Sequence, residues 1–341
     1  MKTNIFTSAL FACAMIAASC TSTEQAAIPA NKKEIMDQFI AGTLNPSYVP
    51  AAFFIHFHED QRAGEAAVQA QFEYFLASNM DVLKVQFDQP APAVTGLDTE
   101  EGWNNIPDLP EDYYQPTLEV IARLQKVAGN DVYVLPTVYN PHQVALQTIG
   151  RSHIVEGATK HPEAYKKALD SYKKALLWYV NECKKMGIQG FYCCTQGGEM
   201  KYYEAAGYYE NFVKPYDLEI MGECNKDSKC CFLHICDWEG AMDDLTRYAD
   251  YPAHIVNTPI DLNGTAFTLE DGVELFGRPV LGGLDRKKEI ISESEDNLAA
   301  LVDQVLDNAP AGKTMLGAEC TVSAAPIENI HRAVYVAHHR N

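Results

Sequence analysis

The stretch Cys231-Phe232-Leu233-His234-Ile235-Cys236-Asp237 decides the fold, because an apolar run ends there in polar residues. Strands of a parallel sheet are covered by helices on both faces and therefore read as continuous apolar runs. Eight such runs, alternating with helical stretches over about 290 residues, favour an α/β fold of the (β/α)8 (TIM) barrel type over an open sheet. The predicted strands are Ala51–His56, Asp81–Phe87, Val132–Val138, Gly190–Cys194, Cys231–His234, His254–Val256, Val280–Leu284 and Thr314–Gly317, and the predicted helices include Glu65–Ser78, Gln115–Val127, His161–Met186 and Glu293–Leu306.

The charge balance limits the class of partner. The 341 residues contain 46 Asp and Glu against 27 Lys and Arg, which gives a formal net charge of -19. A field of this sign repels nucleic-acid phosphates and anionic lipid. The sequence therefore favours a small-molecule substrate and disfavours nucleic acid, and it leaves the oligomeric state open.

The N-terminus has the pattern of an export signal. Lys2 precedes an apolar run from Ile5 to Ala18, and small residues lead to Cys20. This order is typical of a secretory signal peptide, and the cysteine after the small residues resembles a bacterial lipobox. We predict a signal peptide over residues 1–19, a lipidated Cys20 and tether over 20–47, and a barrel over 48–341. The protein would then be an exported lipoprotein of the bacterial periplasm or outer membrane, in contact with the membrane only through its lipid.

Polar and metal-binding side chains follow the predicted strands. In a barrel, the carboxyl ends of all strands meet at one face, where active sites lie. We therefore expect one shared cleft containing His56, Asp88, Glu199, His234, Asp261 and Cys320, with His58, Arg62, His142 and Thr195 as further candidates.

Several motifs resemble the uroporphyrinogen decarboxylase family. They are Asn140-Pro141-His142-Gln143-Val144-Ala145, Phe232-Leu233-His234-Ile235-Cys236, Phe276–Asp285 and Leu316–Cys320. The resemblance covers residues ~48–338 and implies a (β/α)8 barrel with a deep cleft. This superfamily includes tetrapyrrole decarboxylases and cobamide methyltransferases, so it makes a corrinoid or another tetrapyrrole a candidate substrate or ligand.

The decarboxylase branch fits the sequence poorly. Asp88 matches that branch's catalytic aspartate and Thr195 replaces its serine, whereas Gln147 and Ala318 occupy its tyrosine and histidine positions. Its arginine-rich segment is reduced to Arg62, although arginine is the residue suited to gripping carboxylates. The remaining candidates for substrate binding are His56, His58, Arg62, His142 and Asp261, and Glu199 joins Asp88 and Thr195 as a candidate catalytic residue. Turnover of uroporphyrinogen is therefore not expected.

The methyltransferase branch fits better. Its zinc ligands, a His-x-Cys pair on the fifth strand and a cysteine after the eighth, correspond to His234, Cys236 and Cys320. Zn²⁺ accepts His nitrogen and Cys sulfur, and an open position can bind a thiol as its thiolate. The resemblance implies zinc-dependent methyl transfer to a thiol, with Glu199 or Glu319 as a possible fourth ligand and Asp237 and Glu319 orienting His234.

Three alternatives remain open at this stage. A lipoprotein of this fold could bind a corrinoid or porphyrin without catalysis, so the sequence does not decide whether the chain is an enzyme. His56 and His58 form a His-x-His pair of the kind found in metal-dependent amidohydrolases. In an oxidising compartment, Cys236 could instead form a disulfide with Cys320, and Cys224 one with Cys230.

Overall fold

The computed structural model describes residues 31–322 and 324–340, in which helices surround a seven-stranded parallel sheet of order β1-β2-β3-β4-β5-β8-β9. A separate antiparallel hairpin is formed by β6 and β7. The strands are β1 (Val82–Val85), β2 (Tyr133–Val138), β3 (Tyr192–Thr195), β4 (Phe232–Ile235), β5 (Ile255–Asn257), β6 (Asp261–Leu262), β7 (Thr265–Ala266), β8 (Val280–Leu284) and β9 (Thr314–Ala318). The helices are α1 (Lys32–Ala41), α2 (Gly64–Ser78), α3 (Glu100–Asn104), α4 (Gln115–Ala128), α5 (Pro141–Ala145), α6 (Ile154–Lys160), α7 (Pro162–Lys185), α8 (Lys214–Asn225), α9 (Leu269–Phe276), α10 (Glu289–Ser292), α11 (Glu295–Asp307) and α12 (Ile327–His338).

The sheet confirms the α/β class and is compatible with a TIM-barrel-like fold. Every residue of β2, β3 and β4 is buried, as expected for parallel strands covered on both faces. The four predicted helices correspond to α2, α4, α7 and α11, with ends that differ by at most two residues. The apolar runs and helical periods of the sequence therefore place most of the architecture correctly.

The first predicted strand, Ala51–His56, differs from the prediction. It is not a regular strand, and its ladder contact is a single parallel bridge between Ala51 and Leu316 of β9. Backbone hydrogen bonds join Ala52 N to Leu316 O (2.9 Å) and Asp81 N to Ala51 O (2.9 Å). The segment therefore lies between β9 and the start of β1, which are the two edge strands of the regular sheet.

A buried carboxylate ties this segment to both ends of the described chain. The Asp81 side chain accepts hydrogen bonds from Tyr48 Oη (2.6 Å), Ala51 N (2.7 Å) and His338 Nε2 (2.8 Å), and Lys32 Nζ lies 3.7 Å away. Burial acts to raise the pKa of Asp81, but the charges and hydrogen bonds of these partners hold it below its usual value. Asp81 precedes β1, so this cluster lies at the end of the sheet opposite the strand carboxyl ends.

The N-terminal predictions fall mostly outside the described residues. The signal peptide over residues 1–19 and the lipidation site Cys20 lie entirely outside them. Within the predicted segment 20–47, residues 32–41 form α1 and bury Met36 and Phe39 in the core. None of the helices within residues 31–322 and 324–340 is both long and apolar enough to span a membrane.

Candidate functional site

Three side chains of types that can bind a metal ion converge at the carboxyl ends of β4 and β9. His234 lies on β4, and Cys236 follows two residues later, so the period of an extended chain points both the same way. Cys320 lies two residues beyond β9, and its Sγ is 4.0 Å from Cys236 Sγ and 3.6 Å from His234 Nε2. All three ligand atoms lie within 4.8 Å of one another.

These separations fit the donor set of a zinc ion. With Zn–S of about 2.3 Å and Zn–N of about 2.0–2.1 Å, tetrahedral geometry separates two sulfurs by about 3.8 Å and a sulfur from a nitrogen by about 3.6 Å. The distances of 4.0 and 3.6 Å in the structure are close to these values. A disulfide would need sulfur atoms about 2.05 Å apart. The eight cysteines among the described residues are free, so the structure contains neither a Cys236–Cys320 nor a Cys224–Cys230 disulfide.

The pKa values of the two thiols are shifted in opposite directions. The pKa of Cys320 lies well below the usual value, chiefly because Cys236 donates a hydrogen bond to it, with further stabilisation from His234 and Arg286. The same hydrogen bond, together with burial, raises the pKa of Cys236. The first negative charge of the pair therefore resides on Cys320, which favours capture of a cation at this point.

The groups around His234 differ from the expectation. Asp237 and Glu319 do not orient the imidazole; they face Arg286, at 3.5 and 3.4 Å, and His234 Nδ1 is a buried atom with no hydrogen-bond partner among the described residues. The imidazole is instead held by stacking on Tyr192, with ring centroids 5.5 Å apart. Neither Glu199 nor Glu319 belongs to the cluster of three ligand atoms.

The three residues line a small inner cavity of about 170 Å³, whose walls also include Lys84 and Gln196. An outer chamber of about 780 Å³ adjoins it. The two spaces share His56, Gln86, Tyr139 and Gln147 as lining residues. The two spaces are therefore neighbours, and these four side chains lie at the boundary between them.

Lys84 and Gln196 line the inner cavity, although no motif in the sequence pointed to them. Lys84 lies within β1, and burial lowers its pKa, although nearby thiols and Asp88 oppose this shift. Gln196 Nε2 donates a hydrogen bond to Cys236 Sγ over 3.3 Å. The sequence contained one signal for Lys84, a single charged residue inside an otherwise apolar strand. Such a residue is unusual because charged side chains are rarely buried without a partner.

His56 and Asp88 are brought together as predicted. His56 Nδ1 donates to Asp88 Oδ1 over 2.7 Å, and Gln86 Nε2 donates to the same oxygen over 3.2 Å. Burial acts to raise the pKa of Asp88, but the hydrogen bond and charge of His56 outweigh it and lower the pKa. Both side chains line the outer chamber, as does Arg62, whose Nε donates to the Phe57 carbonyl.

Other predicted site residues lie outside these two spaces. His142 is fully buried; it bonds Tyr208 Oη over 2.6 Å, and burial lowers its pKa to about 3, so it is uncharged at neutral pH. Thr195 is buried and donates to Asp217 over 2.5 Å. Asp261 is exposed on the short strand β6, where its side chain accepts a hydrogen bond from Gly264 N. His58 is also exposed and pairs with Asp60. The shared cleft therefore contains His56, Asp88, His234 and Cys320 but neither Glu199 nor Asp261.

Glu199 is a buried carboxyl with an unusual pKa. Burial raises the pKa to about 7, although Gly197 N donates to Oε2 over 2.6 Å. The Oε1 atom has no hydrogen-bond partner among the described residues. Because the folded state binds this proton more tightly than the unfolded state, Glu199 reduces stability as pH rises from about 4 to about 7.

We expect Glu199→Gln to stabilise the protein at alkaline pH. At pH 8 the free energy of unfolding should rise by an amount on the order of 2–3 kcal/mol relative to the wild type, because no charge is buried. At pH 4 the difference should nearly vanish. Urea unfolding at both pH values measures this, and an equal effect at the two pH values would contradict it.

Solved structures of other proteins have a fold similar to that of this chain. No protein family model and no curated protein matches the sequence. Among solved structures, a methyltransferase from Methanosarcina mazei matches with a TM-score of 0.71 and 15% identity, over 90% of this chain and 98% of that one. A B12-independent methionine synthase from Shewanella sp. W3-18-1, in complex with selenomethionine, matches with a TM-score of 0.54 and 11% identity, over 85% and 97%. At these identities the comparison establishes that the chain shares its fold with methyl-transfer proteins.

Proposed function

We propose that the protein is a barrel enzyme that transfers a methyl group to a thiol, with zinc held by His234, Cys236 and Cys320. The observation that carries the proposal is the spacing of these ligand atoms, which matches two edges of a tetrahedral zinc site. The shared fold with a methyltransferase supports it. We further propose that the fold is a complete (β/α)8 barrel of the uroporphyrinogen decarboxylase and cobamide methyltransferase superfamily. Residues 51–56 would be the strand that closes the barrel between β9 and β1.

The zinc would bind the acceptor sulfur and stabilise it as a thiolate at neutral pH. Residues of this chain set the conditions for that chemistry. Stacking on Tyr192 fixes the plane of His234, and the hydrogen bond from Gln196 fixes Cys236. Arg286 pairs with both Asp237 and Glu319 next to the ligands, which keeps these carboxylates from competing with the ligands for the metal.

The inner cavity sets a size limit on the two substrates. A space of about 170 Å³ accommodates a small thiol but not a tetrapyrrole macrocycle. We infer that a methyl donor of the corrinoid class would present its methyl group from the side of the outer chamber. The sulfur would meet it in the inner cavity.

Two measurements test the proposed function. Protein purified under reducing conditions should contain about one zinc per chain, and it should convert methylcobalamin and a small thiol to cob(I)alamin and the thioether, followed by absorbance. Metal-free protein that changes the spectrum of cobalamin without forming a thioether would instead indicate a corrinoid-binding protein and would refute the enzyme.

We expect no decarboxylation of uroporphyrinogen. Arg62 is the arginine that lines the outer chamber among the described residues, and its Nε is engaged by the Phe57 carbonyl. An unpaired buried carboxylate costs several kcal/mol, so one arginine cannot hold a substrate with eight of them. Chromatography of porphyrins after incubation with the purified protein checks this, and accumulation of coproporphyrinogen would disprove it.

We also propose export and lipid anchoring through Cys20. The basic start, the apolar run and the small residues before Cys20 support this proposal. Cys20→Ser should move the protein from the membrane fraction to the supernatant. Persistence of the variant in the membrane fraction would count against the anchor.

A further inference from the structure

Three exposed apolar side chains lie together at neighbouring helix ends. In the described part of the chain, five large apolar side chains are exposed, and three of these lie in the last turn of a helix. They are Leu76 of α2, Val127 of α4 and Tyr335 of α12, which are 59, 49 and 46% exposed. Helix α2 packs on both α4 and α12, so the three helix ends are neighbours. We call these three residues the lower patch.

The lower patch lies at the face opposite the cleft. Helices α2 and α4 each lead into the strand that follows, β1 and β2, so their last turns lie at the amino ends of the strands. The end of α12 reaches the same face, because Val49 N donates to Ala337 O over 2.9 Å and His338 bonds Asp81, which precedes β1. The cleft, in contrast, is formed at the carboxyl ends of the strands.

The three helix ends also lack negative charge. Their last turns contain no Asp or Glu, although the chain has 46 of these residues. The Arg332 guanidinium lies over the Tyr335 ring, 5.8 Å from its centroid. Acidic and basic residues are equally represented around the patch at this face, as Glu34, Asp37 and Asp131 and as Lys32, Lys33 and Lys126. An anionic bilayer, which repels the acidic remainder of the surface, therefore meets the least repulsion here.

The described chain begins at this same face. In α1, Lys33 N donates to Asp131 O over 2.8 Å, and Lys32 Nζ donates to Asn79 O over 2.7 Å, so the helix starts beside the segments that lead into β2 and β1. Asn31 follows Cys20 by 11 residues, which span at most about 40 Å when fully extended. Helix α7, with 24 residues, is already about 36 Å long. Only a nearly extended connection would therefore reach from this face to the cleft.

We propose that the lower patch rests on the surface of the bilayer, so that the cleft opens away from the membrane. The proposal goes beyond methyl transfer and rests on the lipid anchor proposed at Cys20. Apolar side chains flanked by basic residues, with a tyrosine among them, are typical of surfaces that lie in the headgroup region. A membrane-facing lower patch leaves the inner cavity and the outer chamber accessible to substrates from the aqueous side.

Tryptophan quenching tests this orientation. The full chain, purified from the membrane fraction, is placed in vesicles of phosphatidylethanolamine and phosphatidylglycerol that contain a lipid with a nitroxide on its headgroup. One probe is Leu76→Trp in a Trp238→Phe background, and the control is Trp238 itself, which lines the inner cavity and is 58% exposed, against 59% for Leu76. We expect the probe to lose about half of its emission, because surfaces of this kind enter the headgroup region, and Trp238 to keep its own. Val127→Trp provides a second probe if Leu76→Trp does not fold, as judged by circular dichroism.

Three outcomes would overturn the proposal. Quenching of Trp238 as strong as that of the probe would place the cleft at the membrane, and quenching of neither would show that the lower patch does not touch it. A dimer of the Cys20→Ser protein that Leu76→Glu dissociates in sedimentation would assign the patch to a second copy of the chain.

Failure of the anchor is separable from failure of this orientation. Mass spectrometry of the purified protein shows whether Cys20 carries lipid. If it does not, the same probes are compared in the Cys20→Ser protein, held on nickel-chelating lipid through a polyhistidine tag placed at residue 20. Quenching of the probe alone would then sustain the lower patch as the membrane-facing surface while the lipid anchor fails. Lipid on Cys20 with equal quenching at both positions would do the reverse.

Discussion

Replacement of Cys236 or Cys320 by alanine is expected to reduce the bound zinc from about one per chain to nearly none, because a structural or catalytic zinc site needs at least three protein ligands. Methyl transfer to the thiol should fall to the background rate in both variants. Metal analysis of dialysed protein and the thioether assay measure the two effects. Neither thiol is replaceable by the carboxylates nearby, since Asp237 and Glu319 are engaged with Arg286.

The chain offers a matched control for this experiment. Cys194 lies on β3 and lines the same cavity, but it is not part of the cluster of ligand atoms. We expect Cys194→Ala to retain zinc and activity. Equal loss of zinc in all three variants would point to general disruption of the cavity, and full zinc retention in Cys236→Ala would remove Cys236 from the ligand set.

Asp81→Asn is expected to lower the free energy of unfolding by ~3–5 kcal/mol at pH 7, since removal of one charge leaves a buried partner uncompensated. His338 and Lys32 would both lose their counter-ion. Asp60→Asn provides the control, because the His58–Asp60 pair has the same 2.8 Å separation but is largely exposed. Its effect should be below ~1 kcal/mol, as for other surface pairs. Urea unfolding of the three proteins measures the difference, and similar losses in both variants would argue against a special role for Asp81.

The stability that the Asp81 carboxylate contributes should decrease as the pH falls. The pKa of Asp81 is lowered in the folded state, so its contribution is complete above the unfolded value of about 3.9. It is lost as pH falls through the lower, folded pKa. The difference in stability between the wild type and Asp81→Asn should therefore shrink below about pH 4. A constant difference down to pH 2 would contradict this.

The strands were predictable because burial on both faces leaves a strong signal in the sequence. The runs that became β2, β3 and β4 are predominantly apolar, and all of their residues are buried. The segment Ala51–His56 has the same apolar character, but its pairing is limited to one bridge with Leu316. An apolar run indicates that a segment is buried. Whether the segment pairs as a regular strand depends on its backbone register with both neighbours, and this register cannot be read from a single sequence.

The cluster of three candidate metal ligands was predictable in part. The two-residue period of a strand places His234 and Cys236 on one side, and the resemblance to known methyltransferases indicated Cys320. The burial of His142 was not predictable, because it depends on Tyr202 and Tyr208, which arrive from a distant loop and pack around the imidazole. The position of Lys84 was not predictable, because its ammonium contacts the rings of Phe54 and Tyr192, which belong to other parts of the chain.

The contact between Asp81 and His338 spans 257 residues and has a kinetic consequence. Helix α12 packs on both α2 and α11, so it joins the beginning of the described chain to its end. Interactions of such high contact order form late, since the entropy of closing a long loop must first be overcome. A ribosome-bound chain that lacks α12 would leave Asp81 without His338 and the apolar faces of both helices uncovered. We therefore expect folding to be completed only after α12 has left the ribosome, and chains that stop before α12 to be prone to aggregation.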